Sequence, residues 1–554
     1  MVAILYGATI FVHGQVSAEF DRTHDFDVLH YSIRVDFDRS KNQVIGDTTI
    51  SFKPMRADFR RLELDAVGLV IKSVSLESSG KALTYQSRPG TLAVTLDRAY
   101  SSADNVTIRV IYTATPKKGV YFVDASAPND ENKHSAQIWT QGEPDEARHW
   151  FPSFDFPSDK ATTEEFITAD PEDTVIGNGE FIGKVPTPNG KITWHYKMPI
   201  AHSTYLVSFV IGKYVKIEDK YRNVPLAYYV YPGREYLADK AFSGTKKMMS
   251  VFESATGIDY PYYKYDQTIV AKFAFGGMEN ITATTLFDQD VLLVDLPFAR
   301  DIVGDLVSHE LAHSWFGDLV TCKNWAELWL NEGFATYMEA VYRENAFGRE
   351  NYLEKIRTDT AEFLVHDLVT RRRHGLYNRR AGEVDKLFDV SAVTYNKGSV
   401  VLHMLREQIG SESFWKGVNA YLQKLKFGNA TSEDLKAAME SASGQDLGWF
   451  FDQWVYHSGA PKLNVSSVYS VKSKSITITI AQTQRADVLV PSVFRIPLDI
   501  TVDTKAGKVV KSLEMTTRST TVIVPLSGEP NSVALYPDEK APLRSAKISK
   551  IVVR

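Results

Sequence analysis

The hydrophobic residues of this chain change their spacing twice, and no single sheet or helical bundle can satisfy both spacings. From about Asp25 to Gly212 they alternate with polar residues, as in HYSIRVDFDRS, QVIGDTTISFKP and NVTIRVIYTATP, and the runs are broken by Gly, Pro, Asn and Asp. Strand side chains point to opposite faces in turn, so this pattern predicts an antiparallel β domain. The spacing then becomes helical around Leu237 to Ala255, Ile302 to Trp315, Glu332 to Asn345 and in several runs between Val400 and Trp454. That predicts a mainly α region. After Gly459-Ala460-Pro461 short alternating runs return, among them KSITITIAQT, FRIPLDITVD and STTVIVPLSG, and predict a small β-sandwich. At 554 residues the chain exceeds what one hydrophobic core usually serves. The expectation is a multidomain α+β protein: an N-terminal antiparallel β domain over 19–212, a mainly α domain over 213–461 and a C-terminal β-sandwich over 462–554.

Composition removes several partners. Hydrophobic residues make up 44% and charged residues 24%, which suits a folded globular chain. A net charge of -5 without a long Lys/Arg block gives no reason to expect nucleic acid or anionic lipid. No run after the N-terminus is long and apolar enough for a stable membrane span. The first residues, MVAILYGATIFVHGQVSA, are mostly apolar and end in Val16-Ser17-Ala18, a small-residue pattern that makes 1–18 a possible signal peptide. Export to the periplasm or the medium is therefore expected. The missing basic start keeps a cytoplasmic chain, with these residues as an opening strand, as the alternative.

Cys322 is the only cysteine, so a thiolate metal cluster is excluded and any metal must use His, Asp or Glu. In DIVGDLVSHELAHSWFGD, His309 and His313 stand four residues apart, which on a helix places both imidazoles on one face with Glu310 beside them. A catalytic zinc needs three protein ligands and an open position. Glu332, nineteen positions beyond His313 in a second helical run, is the candidate third ligand. It stands among Leu328, Trp329, Leu330, Phe334 and Ala335, where an unpaired carboxylate would be costly.

H-E-x-x-H, eighteen intervening residues and then Glu within Asn331-Glu332-Gly333-Phe334-Ala335 resembles the gluzincin aminopeptidases of the aminopeptidase N type. The resemblance implies a thermolysin-like catalytic domain and one Zn2+ per chain on His309, His313 and Glu332. Glu310 would be the general base, which agrees with the chemistry of a carboxylate beside a metal-activated water. Ala274-Phe275-Gly276-Gly277-Met278-Glu279-Asn280 resembles the family's G-x-M-E-N stretch. Gly276, Gly277, Met278, Glu279 and Asn280 are then the expected substrate-binding residues: the glycines on an edge strand that admits the peptide backbone, Met278 toward the first side chain, and Glu279 on the free α-ammonium. Thr140-Gln141-Gly142-Glu143 resembles the family's T-Q-x-E/Q and makes Glu143 a second amine anchor. Tyr395-Asn396-Lys397-Gly398 resembles Y-x-K-G and makes Tyr395 the donor to the oxyanion. Glu143, Glu279 and Glu332 together would form an anionic corner that a charged N-terminus fits and a blocked one does not. The implied partner is a peptide with a free N-terminus; which first residue is preferred, and the oligomeric state, stay open.

Three departures accompany the likeness. Gly277 stands where many members have Ala, Asp318 where Asn is common, and the chain stops at Arg554 where many relatives continue into a helical domain over the catalytic cavity. The last leads to the expectation of an open active site. An epoxide hydrolase of the leukotriene hydrolase type shares the Gly-Gly-Met-Glu-Asn form, the zinc set and the tyrosine, but relies on that helical domain. A non-catalytic scaffold would have no physical need for an intact base, three ligands and Tyr395.

Overall fold

The computed structural model describes residues 20–127, 133–369, 373–536 and 541–554. The possible signal peptide over 1–18 lies outside the described residues. The N-terminal region is built on a seven-stranded sheet in the order Glu180–Pro186, Ile192–Ser203, Lys160–Ala169, Phe26–Asp38, Gln43–Pro54, Val106–Ala114, Leu69–Leu76. Along Phe26–Asp38 every second side chain is buried apart from a shift at a bulge between Val28 and His30, as one covered face requires. The expectation of an antiparallel domain needs one correction, because Phe26–Asp38 runs parallel to Lys160–Ala169, with Ile33 facing Glu165. Parallel neighbours need a long connection, and the chain between these two strands forms a separate three-stranded sheet, Phe59–Ala66, Gly90–Tyr100 and Thr84–Arg88, and two strands of another on the way.

That other sheet has four strands, ordered Thr174–Gly177, Phe209–Gly212, Gln137–Thr140, Val120–Val123, and is joined to the central region through polar backbone contacts. Trp139 Nε1 donates to Ala271 O at 3.2 Å, Ala271 N donates to Gln137 Oε1 at 3.0 Å, and Asn178 Nδ2 donates to Ile281 O at 2.7 Å. These bonds clamp both ends of the segment that carries Gly276 to Asn280. They also bring Gln141 and Glu143, which follow the strand Gln137–Thr140, against it.

The central region is not helical from its start. It opens with a five-stranded sheet in the order Val215–Tyr221, Val224–Val230, Tyr265–Val270, Ala283–Phe287, Gly277–Met278. Every residue of Tyr265–Val270 is buried, so the alternation that betrays a half-exposed strand is absent from its sequence. The helices follow, notably Arg300–Ala312, Trp329–Phe347, Arg349–Val369 and Gly398–Ile409. One apolar core runs from these helices (Trp315, Trp329, Trp454) into the C-terminal strands, and a second fills the N-terminal sheets around Phe26, Trp150 and Phe151. From Lys462 onward the chain forms a sheet of five strands, four on one path with Val552–Val553 added at its side, and a three-stranded sheet. Ile476, Ile478 and Ile480 from the first sheet and Ile496, Leu498 and Ile500 from the second are buried. No helix among the described residues is long and apolar enough to cross a membrane.

Candidate active site

His309 and Glu310 occupy the last turn of the helix Arg300–Ala312, and His313 is its C-cap. The four-residue spacing puts the two imidazoles on one face, their centroids 4.8 Å apart. Glu332, in the first turn of Trp329–Phe347, places Oε2 at 3.2 Å from His309 Nε2 and 3.5 Å from His313 Nε2. One ligand atom from each of the three lies within 4.8 Å of the others, all buried. The far nitrogens are already engaged: His309 Nδ1 is 2.8 Å from Glu339 Oε1, and His313 Nδ1 is 2.9 Å from Phe316 O. Those acceptors fix the tautomer that leaves both Nε2 lone pairs facing Glu332. Burial lowers the proton affinity of His309, but Glu332 and Glu339 outweigh it and raise its pKa to about 9. Burial works to raise Glu332, and the two imidazoles overcome it and hold the carboxyl at about 2. The triad thus draws positive charge into its centre. Two imidazoles and one carboxylate, oriented from behind and open in front, are a donor set that fits zinc.

A second cluster adjoins the first. Oxygens of Glu143, Glu279 and Glu332 lie within 4.8 Å of one another, as do ligand atoms of Glu279, Glu310 and His313. Burial lifts the Glu143 carboxyl well above its ordinary range, with the neighbouring Glu279 and Glu332 adding to the effect; Glu279 is raised chiefly by burial. Among the described residues, Glu143 Oε1, Glu279 Oε1, Gln141 Oε1 and Asn280 Oδ1 are buried without a hydrogen-bond partner. Buried acceptors are rarely left unpaired, and three of these, on Gln141, Glu143 and Glu279 around one cavity, mark a place for a donor-rich cation. Gln141 belongs to this group through Nε2, 3.2 Å from Met278 Sδ.

Gly276 and Gly277 line the same cavity. Among the described residues Gly277–Met278 pairs only with Ala283–Phe287, which leaves its other edge without a strand. A Cβ on Gly277 would come within 2.2 Å of Glu310 Oε1, so the carboxyl of Glu310 rests in the space the missing side chain leaves. Burial lifts Glu310 to about 8 against the pull of the imidazoles, and its Oε2 is unpaired. Tyr395 stands across from the strand on a π turn, Val393–Lys397, with its ring stacked on His309 at 5.8 Å between centroids and 10° between planes. Its approach depends on two glycines. A Cβ on Gly398 would meet Gly333 Cα at 2.6 Å, and one on Gly333 would meet Gly398 Cα at 2.9 Å. The helix bearing Glu332 and the turn bearing Tyr395 therefore touch backbone to backbone. All eleven residues singled out in the sequence meet here, around a cavity of about 740 Å³. Asn280 is the least direct of them: Nδ2 donates to Thr285 Oγ1 at 3.0 Å, beneath the strand. Sequence reasoning passed over Glu339, although it lies two helical turns beyond Glu332 and so on the same face.

The Peptidase family M1 domain matches residues 240–454, and the Peptidase M1 N-terminal domain matches residues 28–206, together well over half of the chain. The chain belongs to peptidase family M1. An aminopeptidase 2 of Candida albicans is 30% identical over 451 residues, covering 79% of this chain and 48% of that protein. A mitochondrial aminopeptidase 2 of Saccharomyces cerevisiae is 37% identical over 342 residues, 61% of this chain and 35% of that protein. A leucyl aminopeptidase of Saccharolobus solfataricus is 29% identical over 500 residues, 89% of this chain and 61% of that protein. This M1 chain spans about half the length of the curated relatives it matches. Its histidine pair, Glu332, the Gly277 strand and Tyr395 all fall inside the M1 domain match, and Glu143 inside the N-terminal one.

Proposed function

We propose that this M1 chain is a zinc aminopeptidase that removes single residues from peptides with a free N-terminus. The observation that carries the reading is the meeting of Glu143, Glu279 and Glu332 beside the two imidazoles and Glu310. Four carboxylates in one buried space repel one another, and burial penalises each. A dication between His309, His313 and Glu332 and an ammonium between Glu143 and Glu279 would neutralise most of that charge. An endopeptidase has no use for the second cation site; an exopeptidase requires it. The names of the relatives point the same way.

In this reading the substrate's α-ammonium binds Glu143 and Glu279, and its backbone lies along the free edge of Gly277–Met278. A zinc ion on His309, His313 and Glu332 supplies the positive charge that acidifies a water and polarises the scissile carbonyl. Glu310, whose carboxyl rests over Gly277, takes the water proton and delivers it to the leaving amine. Tyr395 donates a hydrogen bond to the oxyanion as it develops. The proposed architecture is a β-rich domain to about residue 212, a thermolysin-like domain to about 461 and a small β-sandwich after it. Incubation of the zinc-loaded chain with an unblocked decapeptide should release residues one at a time from the N-terminus in mass spectra, and leave the N-acetylated peptide intact. Internal fragments as first products would refute the exopeptidase reading.

A further inference from the structure

A continuous chain of buried polar side chains connects the rear of the metal site to the element that carries Tyr395. Glu339 receives His309 Nδ1 on Oε1, and its Oε2 lies 2.9 Å from Lys355 Nζ. Lys355 donates to Asp359 Oδ1 at 2.7 Å, one turn further along the helix Arg349–Val369. The same Asp359 oxygen accepts from Asn396 Nδ2 at 3.0 Å, and Oδ2 accepts from Ser399 Oγ at 2.8 Å. Asn396 directly follows Tyr395, and Ser399 stands one turn after it. Lys355 is 7% exposed and Asp359 is 1% exposed. The circuit closes through the stacking of Tyr395 on His309.

A buried ammonium is costly unless it is paired, and carboxylates from two helices pair with this one, Glu339 on Trp329–Phe347 and Asp359 on its own helix. Burial works against the charge on Lys355, and Asp359 and Glu339 outweigh it. A fully satisfied buried network is stiff and admits one arrangement. The π turn that carries Tyr395 is an irregular piece of helix, so an external hold decides where the tyrosine stands. We propose that Lys355 and Asp359 are positioning residues that set the separation between the metal-binding edge at His309 and the hydroxyl of Tyr395. This rests on the reading of Tyr395 as oxyanion donor, since a donor is effective only at the place the oxyanion will occupy. A merely structural salt bridge would instead support the fold without regard to what Tyr395 does.

The test is a double-variant cycle on the zinc-loaded full chain with one aminoacyl anilide. Asp359→Asn should lower kcat about 30-fold with KM within about twofold, and Tyr395→Phe should lower it about 100-fold. Adding Asp359→Asn to Tyr395→Phe should cost less than about threefold more, because nothing remains to be positioned. Lys355→Arg should recover most of what Lys355→Met loses. If Lys355→Met does not fold, Ser399→Ala, which removes one hydrogen bond, should show a smaller kcat loss that likewise vanishes in the Tyr395→Phe background. Losses that multiply in the double variant, or a lower melting temperature with unchanged kcat, overturn the inference alone. A Tyr395→Phe variant with unaltered kcat overturns the role of Tyr395 and this inference with it.

Discussion

The metal triad and the amine corner share Glu332 but put their buried side chains to opposite ends. In the triad both imidazoles are oriented from behind, His309 by Glu339 and His313 by the Phe316 carbonyl, and all three ligands come from two helices close in sequence. In the corner Glu143 arrives from the N-terminal region, Glu279 from the central sheet, and their buried Oε1 atoms have no hydrogen-bond partner among the described residues. The first is a finished site that waits for an ion of fixed geometry. The second is an unfinished one, complete only when a substrate supplies the donors. Under the proposed function, selectivity for a free N-terminus would reside in the unfinished cluster, and chemistry in the finished one.

Substitutions can break that division. Glu310→Gln should reduce kcat by at least about 10³-fold while metal analysis still finds one zinc per chain, because the base is not a ligand. Glu279→Ala should lower kcat/KM on free-amine substrates about 100-fold, with residual cleavage of N-acetylated substrates unmoved. Equal losses on both would place Glu279 in the chemistry instead. Glu339→Gln should weaken zinc binding about 10-fold to 100-fold in competition with a metal indicator, since it replaces the charged acceptor behind His309 by a neutral one. Stripping zinc with a chelator should lower the melting temperature by about 5 °C and add-back should restore it, because the ion compensates buried carboxylates. Gly277→Ala should have the smallest effect, about a threefold to tenfold loss of kcat with little change in KM, as the added Cβ displaces the Glu310 carboxyl.

The same contrast explains what could be read from the sequence. His309, His313 and Glu332 were legible because helix geometry turns a spacing of four into a shared face, and because a carboxylate amid Trp329, Leu330 and Phe334 needs a reason. Glu143 and Glu279 meet only because bonds such as Trp139 to Ala271 fasten two distant segments, and no local spacing encodes that; a family likeness supplied the pair. The five-stranded central sheet escaped notice because Tyr265–Val270 is covered on both faces and does not alternate. The parallel pairing of Phe26–Asp38 with Lys160–Ala169 is likewise a matter of connection, not of either strand's own pattern. Gly333 and Gly398 were visible as motif letters, yet their purpose, the contact of two backbones, exists only in the fold.

The central claim is that a zinc-dependent site admits peptides by their free amine. Hydrolysis of aminoacyl anilides, free and N-acetylated, with chelator and with zinc restored, tests both halves at once. The account predicts cleavage of the free-amine set alone, lost with the chelator and regained with zinc. Equal cleavage of the acetylated set, or no cleavage of either by the zinc-loaded protein, would contradict it.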